Sequence, residues 1–165
     1  METTCFWAPA DSVGYRVLKQ AVTDGHIQQI DAAMKPNIDI HALYGDGFEG
    51  HTILHEAAVK GHADVIRQLI ARGARVDGRN KDQFGDSTPL FYAARNAQVN
   101  AVRVLLDAGA DINAKGSNDN TVLSAVLWNT FQVKQNQVDT ITLLLDRGID
   151  PNTRASAYGA TVVSS

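Results

Sequence analysis

Residues 50–78, Gly-His-Thr-Ile-Leu-His-Glu-Ala-Ala-Val-Lys-Gly-His-Ala-Asp-Val-Ile-Arg-Gln-Leu-Ile-Ala-Arg-Gly-Ala-Arg-Val-Asp-Gly, set a pattern that most of the 165-residue chain repeats. Thr52 returns as Thr88, Gly73 as Gly109, and Gly61 is preceded by Gly25, each pair 36 residues apart. A fixed period of that size means stacked units, because one such unit cannot bury its own apolar faces and a stack can. Within the stretch, Thr52 is placed to cap a helix whose inward residues are Leu54, Ala57 and Ala58, the two alanines being small enough for a neighbouring helix to approach closely. Gly61 and His62 break that helix, and Asp64 falls in the first turn of the next, where an acid suits the helix dipole. Val65, Ile66, Leu69 and Ile70 then form an apolar stripe at helical period, and Gly73 ends the helix by taking the left-handed conformation without steric cost.

The next unit repeats the plan with Thr88 as cap and Pro89 at the first helical position, a favoured pairing. Its core is Leu90, Ala93, Ala94, Val102, Leu105 and Leu106, closed by Gly109. Ser87-Thr-Pro-Leu-Phe-Tyr-Ala-Ala94 and Leu105-Leu-Asp-Ala-Gly-Ala-Asp-Ile-Asn-Ala114 resemble the ankyrin repeat, whose signature is a Thr-Pro-Leu-His turn, an Ala-Ala pair and a Gly-Ala-Asp-Val-Asn close. His51-Thr-Ile-Leu-His-Glu-Ala-Ala58 with Gly61-His62 matches the same pattern. Ile53 stands where the family has proline, Phe91 where it has histidine, and Gly78 in place of the usual small residue after the aspartate. The resemblance runs over residues 15–163 and implies an all-α ankyrin solenoid, stacked helix-turn-helix units with β-hairpin or finger loops between them.

The chain divides as an N-terminal extension (1–14), repeats at 15–46, 47–82, 83–115 and 116–155, and a partial fifth repeat at 156–165. The extension contains Phe6, Trp7 and Pro9 and is either a cap over the first repeat or a tail that binds something. The first repeat is degenerate. Its core is Leu18, Ala21, Val22, Ile27, Ile30, Ala33 and Met34, Arg16 stands at the capping position, and Asn37 replaces the terminating glycine. The first two inter-repeat loops are three residues longer than the norm of ~33 per repeat, with Asn80-Lys-Asp82 as the extra piece in the second. In the fourth repeat Gly148 lies 39 residues beyond Gly109, whereas Thr121 lies 33 beyond Thr88. The excess of six, near Thr130-Phe-Gln-Val-Lys-Gln135, either lengthens the helices or enlarges the loop between them. Leu123, Val126, Leu127, Ile141, Leu144 and Leu145 supply the core of that repeat. Tyr158-Gly-Ala-Thr161-Val-Val then begins a fifth repeat that stops at Ser165. The chain is read as a fragment, as a protein whose open end docks another subunit or partner, or as one whose fourth repeat caps itself.

Composition narrows the function. A net charge of −3 without any Lys/Arg cluster argues against nucleic acid, and no run of ~18 apolar residues argues against a membrane span. The single Cys5 excludes an intrachain disulfide, which suits the cytoplasm or nucleus. His51 and His55, four apart with Glu56 beside them, share a helical face and could grip zinc. The metalloprotease order is absent, however, and by resemblance His55 is the turn histidine; the expectation is no metal, no cofactor and no catalytic residue. Neither a nucleophile elbow nor a phosphate-cradling glycine loop is present.

The resemblance implies a concave binding surface of finger tips and first-helix residues. By position these are Phe48, Glu49, His51, Val59 and Lys60; Phe84, Ser87, Arg95 and Asn96; and Ser117, Asn118, Trp128 and Asn129. Aromatic and arginine side chains dominate interface hot spots, which singles out Phe48, Phe84, Arg95 and Trp128. The alternative for the aromatics is local packing, with Phe48 and Phe84 tucked into neighbouring fingers and Trp128 on Phe131. The expected function is binding of another protein on this face. The alternatives are a small-molecule site or enzyme in the groove beside Trp128, and a homo-oligomer formed through the C-terminal end.

Overall fold

Thr52, Thr88 and Thr121 each adopt extended backbone (ψ 164°, 162° and 161°) immediately before a helix. Their hydroxyls accept from the backbone N–H three residues on, as with Phe91 N to Thr88 Oγ1 and Ser124 N to Thr121 Oγ1, so one orphan donor of each helix start is satisfied. The computed structural model describes residues 13–34, 38–43, 49–82, 86–116, 119–128 and 133–153. In these, the helices follow in pairs: α1 Val13–Asp24 and α2 Ile27–Ala33; α3 Ile53–Lys60 and α4 Ala63–Ala71; α5 Pro89–Arg95 and α6 Val99–Asp107; α7 Val122–Leu127 and α8 Gln135–Asp146. The first helices stack in an inner row, α1–α3–α5–α7, and the second in an outer row, α2–α4–α6–α8.

The alanine pairs do what their size allows. Ala57, Ala58, Ala93 and Ala94 are fully buried where α1, α3 and α5 meet. Leu18, Leu54, Leu69, Leu90, Leu105 and Leu144 form the apolar interior, which runs unbroken from the first pair to the fourth. Two residues of the expected core behave differently: Ile27 is 38% and Leu145 is 45% exposed.

The outer helices α4, α6 and α8 end the same way. Gly73, Gly109 and Gly148 have φ of 97°, 90° and 86°. The two N–H groups that follow each helix end turn back onto its last carbonyls, as in Gly73 N to Ile70 O (2.9 Å) and Ala74 N to Leu69 O (3.0 Å). The turns inside the pairs are more constrained. Gly25 and Gly61 also have positive φ, and a Cβ on either would meet the side chain of the next unit, His62 at 3.0 Å or Gln98 at 2.3 Å. Those side chains bridge adjacent units: His62 Nε2 donates to Thr23 O (2.8 Å) and Gln98 Nε2 to Val59 O (3.0 Å).

Position 97 is the third member of the 25/61 series but is alanine, with φ of 52°. A left-handed L-residue costs roughly 1–2 kcal/mol, part of which glycine returns through the greater freedom of its unfolded chain. Ala97→Gly is therefore expected to stabilise the fold by about 0.5–1 kcal/mol, seen as a higher urea midpoint at unchanged slope.

The fourth pair absorbs its six extra residues partly in a helix. α8 has twelve residues where α4 and α6 have nine, all three of the added ones at its N-terminus. Residues 129–132, including Asn129 and Phe131, lie outside the described residues, as do the extension 1–12, Asn37 and the partial fifth repeat.

Candidate functional site

Two short strands, β1 Glu49–Gly50 and β2 Lys81–Asp82, pair antiparallel, with Glu49 opposite Asp82 and Gly50 opposite Lys81. They come from successive inter-unit loops, so the extra length of these two fingers goes into joining one finger to the next. Phe48, Phe84, Ser117 and Asn118 lie outside the described residues.

The root of the second finger is a buried polar cluster built on Asn80, His55 and Tyr92. Asn80 is fully buried; its N–H donates to Ser87 O (3.1 Å), its Oδ1 accepts from Ser87 N (2.7 Å), and its Nδ2 donates to the Tyr92 hydroxyl (2.9 Å). The finger is therefore closed at Asn80 and Ser87. The next finger closes at Gly116 and Asn120 (Gly116 N to Asn120 O, 2.8 Å). Six residues lie between the first closing pair and three between the second, so the extra piece is inside the loop and Asn80 belongs to the root, not to an extended tip. A buried asparagine whose side chain and backbone together make three hydrogen bonds to Ser87 and Tyr92 has no reason to be at a tip.

His55, also fully buried, joins the second unit to the third. A carbonyl only accepts, so His55 Nε2 carries the proton and donates to Ser87 O (3.0 Å). Its Nδ1 is then the acceptor for Thr52 N–H (3.2 Å) and the Thr52 hydroxyl (2.8 Å). With both ring nitrogens engaged, the His51/His55 pair cannot act as a zinc clamp. The rings instead stack, 5.8 Å apart, and His51 sits 5.0 Å from Tyr92, edge to face. Among the described residues no group of three His, Cys, Asp or Glu side chains is placed to hold a metal ion.

Above this root, the inner row presents the residues chosen by position. Val59 and Arg95 are half-buried, Lys60 and Asn96 exposed, and Trp128 is 55% exposed. Lys60 and Arg95 occupy the last turns of α3 and α5, where a cation suits the helix dipole, and Asn96 Nδ2 donates to Tyr92 O (2.8 Å). His51 is half-buried against the root; Ser87 is 3% exposed, its main chain tied to Asn80 and His55. Glu49 is in β1.

Tyr92, Asn80 and Glu56 were not among the residues expected in the site. Tyr92 and Glu56 are 36 apart and occupy the same place in successive units. Glu56 takes a hydrogen bond from the Thr23 hydroxyl (3.1 Å) of the preceding unit while Tyr92 anchors the finger root. The register was visible in the sequence, and the signal to use was that an aromatic had replaced an acid there.

The family model for ankyrin repeats, in three copies, matches residues 18–116, more than half of the chain. The chain belongs to the ankyrin-repeat family. A search among curated proteins returns no match. Ankyrin repeats generally serve as protein–protein interaction modules. A cavity of about 380 Å3 opens between the first two repeats, lined by residues that include Asp39, His41, Thr52, Arg75 and Arg79. It takes none of its lining from the helices that carry Arg95 and Trp128, so it is a different place from the groove of the small-molecule alternative. Among the described residues no helix is long and apolar enough to cross a membrane.

Proposed function

We propose that this ankyrin-repeat chain binds another protein on the face made by its inner helices and finger roots, with Trp128 and Arg95 as anchors and His51, Val59, Lys60 and Asn96 around them. The observation that carries the reading is Trp128, among the described residues the largest side chain that is exposed (55%), at the inner-row position that Val59 and Arg95 hold in the preceding repeats. An exposed tryptophan with a half-buried arginine at the equivalent position of the preceding repeat is the composition of an interface hot spot. Ser87 serves by fixing the finger root through its main chain; Glu49, Phe48, Phe84 and Asn129 are assigned to the same face by their place in the repeat alone. The division into four repeats, with a partial fifth read from the sequence alone, and a cytoplasmic or nuclear setting belong to the same proposal; the four helix pairs support the first and the usual setting of the family the last.

The test is site-specific photo-crosslinking in cells, with a benzoylphenylalanine at position 128 and, as the reference, at Arg103 on the outer helix α6, which is exposed. A discrete protein captured from 128 and not from 103, with capture falling at least about tenfold on Arg95→Glu, is the expected result. Equal capture from both faces, or capture indifferent to Arg95→Glu, overturns it.

A further inference from the structure

Where the second repeat meets the third, the Asp77 carboxylate accepts from the Asp111 N–H with both oxygens (3.0 and 3.3 Å). One period earlier, where the first repeat meets the second, the same two places hold His41 and Arg75. Position 75 is aspartate in the other three repeats, as Asp39, Asp111 and Asp150. Each of those accepts from the N–H two residues on, as Asp39 Oδ1 does from His41 N (2.8 Å). A pair of acids at one joint is thus a histidine and an arginine at the other. The joint of the third and fourth repeats has Asn113 and Asp150 in these places and brings no cation.

The turn itself is unchanged. Gly78 N donates to Arg75 O (3.1 Å) as Ala114 N does to Asp111 O (3.1 Å), so the Arg75 N–H keeps the direction in which Asp111 meets a carboxylate. Among the described residues neither this N–H nor the exposed Arg75 guanidinium has an acceptor. Arg75 and His41 both line the cavity of about 380 Å3. Arg79 adds a second cation to the lining, held in place by bonds from its Nη1 to Asp86 O (3.0 Å) and Lys115 O (2.9 Å). Asp39 is the one acid among the described lining residues, and its Oδ1 is engaged by His41 N. Ile40 and Leu43, both half-buried, give the cavity an apolar wall.

We propose that this cavity is a subsite for a carboxylate carried on a short aliphatic body, the ligand supplying at Arg75 the acid that Asp77 supplies at Asp111. The carboxylate accepts from the Arg75 N–H and pairs with its guanidinium, while the aliphatic part lies on Ile40 and Leu43. A guanidinium presents its donors as a planar fork that a carboxylate matches, and hydrogen bonds between charged partners are the stronger kind. None of the lining comes from α5 or α7, so the inference does not rest on the inner-row reading.

Amide NMR of the full chain follows the Arg75 N–H while probes are added to about 20 mM, since one charge-assisted contact sustains millimolar affinity at most. The probes are acetyl-Leu-Asp-Leu-amide, its asparagine counterpart acetyl-Leu-Asn-Leu-amide, and 4-methylpentanoate. The aspartate peptide is expected to move the resonance downfield and to bind at least about tenfold more tightly than the asparagine peptide. 4-Methylpentanoate should move it the same way, and the tighter of the two acids tells whether the carboxylate belongs to a peptide or to a small molecule. Arg75→Gln should weaken the response at least about tenfold. His41→Asp is expected to supply the carboxylate from within, so that the Arg75 resonance stands downfield before any probe is added and no longer responds. Unmoved resonances of α5 and α6 confirm that both variants keep the fold. Asp46, three residues after Leu43, is the carboxylate of the chain to exclude, and Asp46→Asn should leave the titration as it was. An Arg75 amide indifferent to both acids, equal binding of the two peptides, a full response in Arg75→Gln or His41→Asp, or a response seen only in Asp46→Asn overturns the proposal.

Discussion

His55→Ala is expected to lower the stability of the solenoid by about 3–5 kcal/mol, a large share of what a domain of this kind possesses. The ring is fully buried and both of its nitrogens are in use. Removing it opens a cavity between the second and third repeats, strips one of two donors from the Ser87 carbonyl, and leaves the Thr52 N–H without its acceptor at the start of α3. Those losses fall on different repeats, so the effect is on the joint and not on one helix. His55→Phe keeps most of the volume and loses only the polar partners; the third repeat already carries Phe91 at this position, 7% exposed. It should cost about 1–2 kcal/mol. Urea unfolding of the three proteins checks both values, and equal losses for alanine and phenylalanine would show that packing contributes nothing there.

Gly61→Ala is expected to cost about 2–3 kcal/mol, against about 1 kcal/mol for Gly73→Ala. Both glycines have positive φ, 79° and 97°, so both pay for forcing an L-residue into the left-handed region. They differ in what lies overhead. A Cβ at Gly73 meets nothing within 4 Å, while a Cβ at Gly61 would come within 2.3 Å of Gln98 Oε1 and 2.6 Å of its Cδ. The Gln98 chain can swing aside, but only by giving up its hydrogen bond to Val59 O. The difference between the two substitutions thus isolates the bridge between repeats. In a Gln98→Ala background it should shrink to nothing; if the difference persists there, the bridge is not its source.

Most of the architecture was legible because each repeated residue has one local job that chemistry dictates. Threonine before a helix recurs three times, glycine at a left-handed turn five times and an alanine pair between inner helices twice, and that repetition removed the ambiguity a single instance would leave. The finger root was less legible. Asn80 reads as a loop residue by type, and only the approach of Ser87 and Tyr92, seven and twelve residues away, makes it core. The six-residue excess was located, but its division was not, because a lysine and glutamine before a helix give no sign of how far the helix extends backwards. For the site, register put Val59, Arg95 and Trp128 at equivalent positions; it could not show that Ser87 is covered, since that depends on the approach of Asn80 and His55 from outside its own segment.

The lacing of β1 to β2 has a consequence for recognition entropy. Two neighbouring fingers that share a ladder cannot sample orientations independently, so a ligand seated against the second and third repeats meets a wall whose shape is set before it arrives. The finger closed at Gly116 and Asn120 is three residues shorter than the one closed at Asn80 and Ser87. For a partner seated there, as proposed, little motion of that wall has to be frozen on landing, so the ordering cost of binding is small.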